Sequence, residues 1–408
     1  MTEMMLTGIG QRVSAHRRAA GVTQAELASR VGRSVQWVSA VEQGRRHTDR
    51  LSDLLGICSV LGCSLDDLLG RPIDSLTPWG QPQAAQVEAT RAAILRTASP
   101  TASSPSTATM SDVARRVNEA WSTWHTSPTA HTQLGGVLPD LILDAVAVHR
   151  HADAGTRPDT AQALAGTWQI VRQWLHHLPE GQLAWIVAER ALSSAAEAGD
   201  PRLIALGAWA MSASYRRAGQ LEEATRLCLG AADELRPRME DSPDDRELVA
   251  AFGMLNLAAA VSAAQSDEEG QAWALHKVAE DTARSLGMFY DPWTRFGVGN
   301  VDIHALAIMA ELGRPDDVVQ YSGRLDLDRI PSVERRARAL IDTARGFVQR
   351  GDDEAAALVL EDAERQSTDE VRYSSLVSAL VRELVHRDRA RARPHVRKLA
   401  KTVGLVQS

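Results

Sequence analysis

Apolar residues recur at the three- and four-residue spacing of amphipathic helices almost without interruption from residue 111 to residue 408. The same region contains no convincing run of alternating apolar and polar residues, the pattern typical of a half-buried β-strand. We therefore expect an all-α fold in which successive helices pack against one another.

Three segments of this region share one pattern: a bulky residue, a glycine four positions later, an acidic pair and a small apolar residue. The glycine ends one helix, the acids favour the N-terminus of the next helix, and the small residue lets the two helices pack closely. The pattern predicts helical hairpins that turn at Gly219, Gly313 and Gly351.

The N-terminal region carries a dense set of helix signals. Apolar stripes over residues 9–70 predict five short helices, each with one side facing a small core. Thr23 is a favourable N-cap residue, and Glu26 follows it at the spacing of a capping box. Gly32 is suited to end that helix and Ser34 to cap the next one. Two short helices joined by so tight a turn predict a helix-turn-helix.

A change in composition separates the two regions. Residues 97–109 contain no charge and no aromatic side chain, so we expect them to form a flexible tether. A candidate amphipathic helix over 81–95 could dock on either domain or on a second chain. The expected organisation is a helix-turn-helix domain at 1–72, a linker at 73–110 and a helical domain at 111–408.

The composition is that of a globular protein, with 44% hydrophobic and 24% charged residues. The longest uncharged apolar run, residues 203–215, is shorter than the roughly 20 residues that cross a membrane, and residues 1–18 lack the apolar core of a signal peptide. We therefore expect a cytoplasmic protein without a membrane partner. Three cysteines are too few for a disulfide framework or a four-cysteine zinc site.

The net charge of −7 is unevenly distributed. Residues 1–50 carry eight arginines and four acids, and residues 382–401 carry eight basic residues and two acids. The rest of the chain is strongly acidic. A basic N-terminal domain favours a polyanionic partner, whereas we expect the second basic stretch to be a solvated helix face against the acidic body, with an acidic neighbour or DNA as the alternative.

The N-terminal region contains Arg17, the string GVTQAELA at 21–28, Gly32, Val38, Ser39, Val41, Glu42 and Gly44. This set of residues resembles the helix-turn-helix domains of phage repressors and Xre-type regulators. This resemblance implies that Gln24 bonds a DNA phosphate, that Arg17 and Glu42 form an ion pair holding the scaffold, and that residues 35–43 form the recognition helix.

The residue pattern of the recognition helix agrees with such a role. Val38 and Val41 are expected to face the core, which leaves the N-terminal part of the helix free to enter a major groove. Gln36 is the first choice for base readout, because its amide can pair with adenine. We expect flanking arginines to contact phosphates, and by the resemblance Arg50 reaches the minor groove. The full predicted DNA-binding set is Gln24, Arg33, Ser34, Val35, Gln36, Trp37, Ser39, Ala40, Arg45, Arg46 and Arg50.

The hairpins around Gly219 and Gly351 resemble tetratricopeptide repeats. The layout as a whole resembles peptide-sensing regulators of Gram-positive bacteria, and its C-terminal segments resemble Xre-type regulators of actinobacteria. The resemblance implies a regulator that binds double-stranded operator DNA as a homodimer, is nucleoid-associated when bound, and senses a peptide or small-molecule effector. The alternative is a DNA-tethered adaptor whose repeats bind a protein partner without a small effector.

One aromatic segment is a candidate effector pocket. Four of the 18 aromatic residues lie within residues 289–296, followed by two polar residues one turn apart. A pocket combines apolar walls with a few polar groups in this way; the alternative is an aromatic turn buried as core. The candidate residues are Phe289, Tyr290, Trp293, Arg295, Phe296, Asn300 and His304.

Neither a metal nor a cofactor is expected. The histidine pairs at 149 and 151 and at 176 and 177 sit too close in sequence to share one helix face, and no further ligand follows at helical spacing. The sequence has no phosphate-binding glycine loop, nucleophile elbow or HExxH motif. We therefore predict no catalytic residues and no enzymatic activity.

Overall fold

The structure is a computed structural model that describes residues 9–46, 51–63, 67–68, 81–98, 106–178 and 180–405. This part of the chain is built from helices and contains no strand, which confirms the all-α prediction. The two regions expected from the sequence are connected by direct contacts between their side chains, as described below.

Four helices form the N-terminal domain. Their apolar sides meet in a small core that includes Leu27, Val38 and Ile57. Gly10 permits the first and third helices to touch, because a Cβ there would lie 2.0 Å from the carbonyl oxygen of Val41. Most of the fifth predicted helix lies outside the described residues. The helices are α1 (Ile9–Ala19), α2 (Gln24–Val31), α3 (Val35–Glu42) and α4 (Leu51–Leu61).

The candidate helix in the linker is present as α5 (Gln81–Arg96) and packs on the helical domain. Ala93 and Ile94 are buried in that domain's core, and Arg91 forms a 2.6 Å ion pair with Glu180. The sequence left three docking sites open for this helix, and the structure places it on the helical domain. Residues 99–105 of the expected tether lie outside the described part of the chain.

The helical domain continues from α6 as a series of helices joined by short turns. Consecutive helices pack against each other, most extensively α8 with α9, α12 with α13, and α16 with α17. The helices are α6 (Met110–Thr126), α7 (Ala130–Arg150), α8 (Arg157–Leu175), α9 (Gly181–Ala198), α10 (Pro201–Arg217), α11 (Leu221–Asp241), α12 (Arg246–Gln265), α13 (Glu269–Leu286), α14 (Val298–Glu311), α15 (Pro315–Ser322), α16 (Val333–Arg350), α17 (Asp353–Gln366), α18 (Thr368–Tyr373), α19 (Ser375–Arg387) and α20 (Arg393–Thr402).

The predicted hairpin turns lie at the three glycines. Gly219, Gly313 and Gly351 have φ values of 78°, 69° and 78°, a left-handed backbone that glycine adopts without a steric penalty. Five positions after each glycine, a side chain of the second helix is fully buried against the first. These buried residues are Ala224, Val318 and Ala356.

A fourth hairpin, α12–α13, has the same register but no glycine at its turn. Asp267 lies two residues after the end of α12, as Gly219 and Gly313 do after their helices, and its φ of 65° is also left-handed. Five positions later Ala272 is fully buried. A non-glycine residue in this conformation costs roughly 1 kcal/mol, although aspartate tolerates it better than most. A sequence pattern that requires glycine at the turn does not include this hairpin, because Asp267 occupies the left-handed position.

Helix α12 is long and apolar enough to cross a membrane by length and composition alone. In the structure, 83% of its most apolar stretch is buried inside the helical domain, between α10, α13 and α14. Its composition is therefore accounted for by its position as a core helix.

Candidate nucleic-acid interface and ligand cavity

Capping side chains determine where α2 and α3 begin. The Thr23 hydroxyl accepts a 3.1 Å bond from the Glu26 amide, and the Glu26 carboxylate accepts one from the Thr23 amide, which completes the capping box. Gly32 ends α2 with a φ of 66°. The Ser34 hydroxyl then accepts a 3.0 Å bond from the Trp37 amide at the start of α3. These local bonds define the tight turn between α2 and α3.

Glu42 is the centre of the scaffold beneath the recognition helix. Arg17 donates to it through two nitrogens, with Nη2 lying 2.9 Å from Oε2, and Gln24 Nε2 donates to the same oxygen at 2.8 Å. Burial by itself would raise the pKa of Glu42, but the bonds from Arg17 and Gln24 outweigh burial and hold that pKa below its ordinary value. Gln24 is thus part of the scaffold here, and its phosphate contact stays a prediction.

The surface of α3 differs from the expected one at Trp37. Gln36 and Val35 are exposed, with Val35 at 47%, and Ser39 and Ala40 are half-buried. Trp37 is only 4% exposed and belongs to the domain core, so its predicted place on the DNA-facing surface is wrong. Trp37 is next to Val38 on the helix, and its large ring extends into the domain core, which a smaller side chain at this position would not reach.

Of the three predicted phosphate-binding arginines, Arg45 is exposed, whereas Arg33 and Arg46 are in contact with other protein groups. Arg33 stacks over the Trp37 ring at 5.4 Å and pairs with Asp53 at 2.8 Å. Arg46 is only 5% exposed. Arg50 lies outside the described residues.

The partner of this surface is the turn of the α12–α13 hairpin. Asp267 accepts bonds from the Ser34 hydroxyl, at 2.8 Å, and from Arg46 Nη1. The carbonyl oxygen of Gln265, the last residue of α12, accepts a 2.8 Å bond from Arg33 Nη1. Three predicted DNA-contacting residues are therefore held by one end of one helical hairpin.

A second hairpin turn lies against the same surface. A Cβ at Gly313 would lie 3.9 Å from the Arg45 carbonyl oxygen and from the Arg46 Cβ. The N-terminal domain is thus docked where the α12–α13 and α14–α15 turns meet, with the flanks of α3 against the helical domain.

The aromatic segment predicted to form an effector pocket is a buried turn. Phe296 is fully buried against Gly253, where an added Cβ would collide with its ring. Trp293 stacks on Trp121 with ring centres 5.7 Å apart. These contacts favour the alternative of an aromatic turn buried in the core, and the effector pocket stays a prediction.

The remaining candidates of that segment are also occupied by structural contacts. The Tyr290 hydroxyl donates to the Arg329 carbonyl oxygen at 3.1 Å, and the buried Asn300 amide donates to the Thr294 carbonyl oxygen at 3.4 Å. Burial lowers the pKa of Arg295. Phe289 packs at the edge of the core. His304 alone among the seven candidates lines the cavity described next.

A partly enclosed cavity of about 140 Å³ lies between the first helices of successive hairpins. Helices α8, α10, α12, α14 and α16 each contribute residues from one face, so the cavity occupies the inner side of the helical stack. Its lining residues are Arg172, Gln173, His176, His177, Trp209, Arg216, Met254, Ala258, Val261, Ile303, His304, Ala307, Glu334, Arg335, Arg338 and Asp342.

The cavity wall is positively charged. Four arginines line it against two carboxylates, those of Glu334 and Asp342. Burial lowers the pKa of His304 to about 3 and that of His177 well below its ordinary value, so both histidines are neutral at neutral pH. The signal in the sequence was the spacing of the charged residues at 334, 335, 338 and 342, which places them on one helix face.

One side of the cavity contains a cluster of potential metal ligands. His177, Glu334 and Glu370 have ligand atoms within 4.8 Å of one another. However, Arg335 Nε lies 3.2 Å from Glu334 Oε2, so that oxygen already faces a cation. Burial and the nearby Glu334 raise the pKa of Glu370 well above its ordinary value, which favours its neutral form. These features disfavour a divalent cation at the cluster.

The basic C-terminal stretch pairs with acids of its own domain. Arg387 Nη1 lies 2.7 Å from Asp353 Oδ1, and Lys398 Nζ lies 3.1 Å from Glu364 Oε2. These contacts fit the expected helix face against an acidic body better than a second nucleic-acid surface.

Comparisons with known proteins bear on the N-terminal domain. No curated protein matches the chain. A solved structure of Bacillus thuringiensis PlcR in complex with the peptide PapR7 and DNA is similar over 86% of this chain and 99% of that chain, with 11% identity and a TM-score of 0.30. The helix-turn-helix domain family matches residues 9–69, the region in which capping and packing produce α2, the turn and α3. Residues 9–69 are a helix-turn-helix domain.

Proposed function

We propose that this protein is a cytoplasmic, sequence-specific DNA-binding transcriptional regulator. The observation that carries the proposal is the helix-turn-helix domain, whose α3 presents Gln36 and Val35 to solvent at its N-terminus. An exposed helix N-terminus with a bidentate amide is suited to reading a base in a major groove. Arg45 beside it supplies a cation for the phosphate backbone.

The helical domain controls access to DNA in this proposal. Arg33, Ser34 and Arg46 cannot bond a phosphate while they bond the α12–α13 turn, so DNA and the helical domain compete for the same side chains. The docked arrangement is the inactive state. A peptide or small-molecule effector acts by binding the docked and free states with different affinities, because equal affinity would shift nothing.

The proposed active form is a homodimer. One helix-turn-helix domain makes few base contacts, and specific operators commonly present two half-sites about 34–36 Å apart. Self-association through the tetratricopeptide-like helices would supply the second domain. The expected operator is therefore two-fold symmetric.

The test is selection of bound fragments from the protein's own genomic DNA by the full-length chain at stated salt, in parallel with the variant Asp267→Gly. Enrichment of one symmetric motif, at least by the variant, is expected. If both proteins recover only non-specific DNA, the regulator is overturned in favour of an adaptor whose repeats bind a protein partner.

A further inference from the structure

We propose that the inner cavity binds a small ligand carrying a carboxylate or phosphate group, held by Arg172, Arg335 and Arg338. This inference names the effector class of the proposed sensor and, in that respect, rests on the proposed function. The binding itself depends only on the helical domain.

Arg172 is the main observation. Its side chain lines the cavity and is 4% exposed, yet it pairs with no carboxylate among the described residues. Its contacts are a 3.0 Å bond to Gln173 Oε1 and the ring of Trp209, 4.9 Å below the guanidinium. Buried charges in proteins are ordinarily paired, because an isolated one loses its hydration without compensation. An anion in the cavity would supply the missing partner.

The surroundings of Arg172 make this deficit larger. Burial, together with the positive charges of Arg216 and Arg335, lowers the pKa of Arg172 to about 9. Arg335 Nε lies 3.2 Å from Glu334 Oε2 and Arg338 Nε lies 3.5 Å from Asp342 Oδ2, so the two carboxylates of the lining already face other arginines. Four guanidinium groups therefore line one space that contains two carboxylates. Guanidinium groups suit carboxylates and phosphates, which accept two parallel bonds.

The apolar residues of the cavity lining indicate the chemistry of the rest of the ligand. Met254, Ala258, Val261, Ile303 and Ala307 provide apolar surface from α12 and α14. An apolar cavity of about 150 Å³ holds benzene, which sets the scale for the 140 Å³ observed here. The site thus fits an anionic group on a short apolar body, with the arginines facing the anionic group and the apolar residues facing the rest.

Butyrate and inorganic phosphate are suitable probes, with butan-1-ol and butylamine as the neutral and cationic analogues of butyrate. Binding to the full-length protein is measured by calorimetry and by thermal shift at millimolar concentration and constant ionic strength. At least one anion should bind at one site per chain, and both analogues should bind more weakly. Butyrate binding would identify a carboxylate with an apolar body; phosphate binding alone would identify a phosphate group.

Arg172→Gln tests the residue, and Arg190→Gln is the matched control. Arg190 is also part-buried and lies over a tryptophan ring, that of Trp168, but it is outside the cavity. Arg172→Gln should weaken anion binding by about tenfold or more, and Arg190→Gln should leave it unchanged. Without a ligand, Arg172→Gln should melt no earlier than the natural protein, because it removes an unpaired buried charge.

Arg338→Gln provides a second variant if Arg172→Gln misfolds, and the same weakening is expected. The proposal is overturned if neither anion binds, if butan-1-ol binds as tightly as butyrate, or if the folded cavity variants bind anions like the natural protein. These measurements contain no DNA. Failure to bind anions therefore leaves the regulator intact, and failure to select DNA leaves the anion site intact.

Discussion

Asp267 and Arg46 form an ion pair that joins the hairpin turn of the helical domain to the end of the recognition helix. Asp267 also adopts the left-handed backbone that glycine supplies at the related turns. The residue thus accepts an unfavourable conformation at a position where its carboxylate holds Arg46 and Ser34. This combination makes Asp267 the point at which docking can be tested most directly.

Asp267→Gly should increase DNA affinity. Glycine suits the turn, so the hairpin is preserved while the contacts to Ser34 and Arg46 are lost. If docking competes with DNA, the apparent dissociation constant should fall by about tenfold, equivalent to about 1.4 kcal/mol. Fluorescence anisotropy with a labelled duplex at fixed salt measures the change. Glu269→Gln is the control, because Glu269 begins α13 directly after the same turn but pairs with Arg314; equal affinities for all three proteins would contradict the competition.

Gln36→Ala should reduce sequence preference. Loss of a bidentate amide contact is expected to cost about 1–3 kcal/mol at the selected site while non-specific binding stays nearly the same. The measurement compares affinities for the selected duplex and a scrambled one. Gln43→Ala, at the other end of α3, is the matched control. An unchanged ratio in Gln36→Ala would remove Gln36 from base readout.

Arg45→Ala should weaken binding to every DNA sequence by a similar factor. The side chain is exposed, and loss of one phosphate contact should lower the slope of log affinity against log salt by about one unit. Titrations at several salt concentrations give this slope. Arg226→Ala, an exposed arginine of α11, should leave it unchanged. Arg46 is less suitable, because its replacement also breaks the ion pair to Asp267. A loss confined to one base position would contradict the phosphate role.

Acid should destabilise the helical domain through His125. This side chain bonds Ser332 and the Trp293 carbonyl oxygen, and burial and the nearby Arg295 lower its pKa from 6.5 to about 3. The unfolded chain therefore binds more protons between these values, and stability falls as pH drops below 6.5. The contribution is about 1.4 kcal/mol per pH unit for this one group.

His125→Gln should reduce that loss, because its amide can still donate to the Trp293 carbonyl oxygen but does not titrate in this range. Urea unfolding followed by circular dichroism at pH 7, 6 and 5 measures the free energy of unfolding. Parallel pH dependences in the two proteins would show that His125 does not contribute.

The helix-turn-helix could be predicted because its determinants are local. Thr23, Gly32 and Ser34 act on amides within three or four residues, so the sequence spacing carries most of the geometry. The glycine turns were predictable for the same reason. Trp37 was misplaced because helical periodicity ranks positions by direction, whereas a large ring can reach the core from an intermediate position.

The cavity could not be predicted from local patterns. Its walls come from five helices, and Arg172 and Arg338 meet only after the intervening hairpins have stacked. The aromatic segment illustrates a different difficulty. Its dense apolar pattern indicates burial, but the pattern does not say whether a ligand or the protein itself fills the space. The Asp267 contact likewise joins positions more than 200 residues apart.

Helix α12 connects the cavity wall with the contacts to the helix-turn-helix domain. Its residue Ala258 lines the cavity, and the carbonyl oxygen of its last residue, Gln265, accepts the hydrogen bond from Arg33. Ala258 and Gln265 are separated by roughly 10 Å at 1.5 Å per helical residue. A displacement of Asp267 by about 1 Å along its 2.8 Å bond to Ser34 would take that bond beyond hydrogen-bonding range. Because a helix moves as a rigid unit, a small movement at the cavity would reach the contacts at the end of α12. The narrow distance range of a hydrogen bond would then decide whether those contacts break.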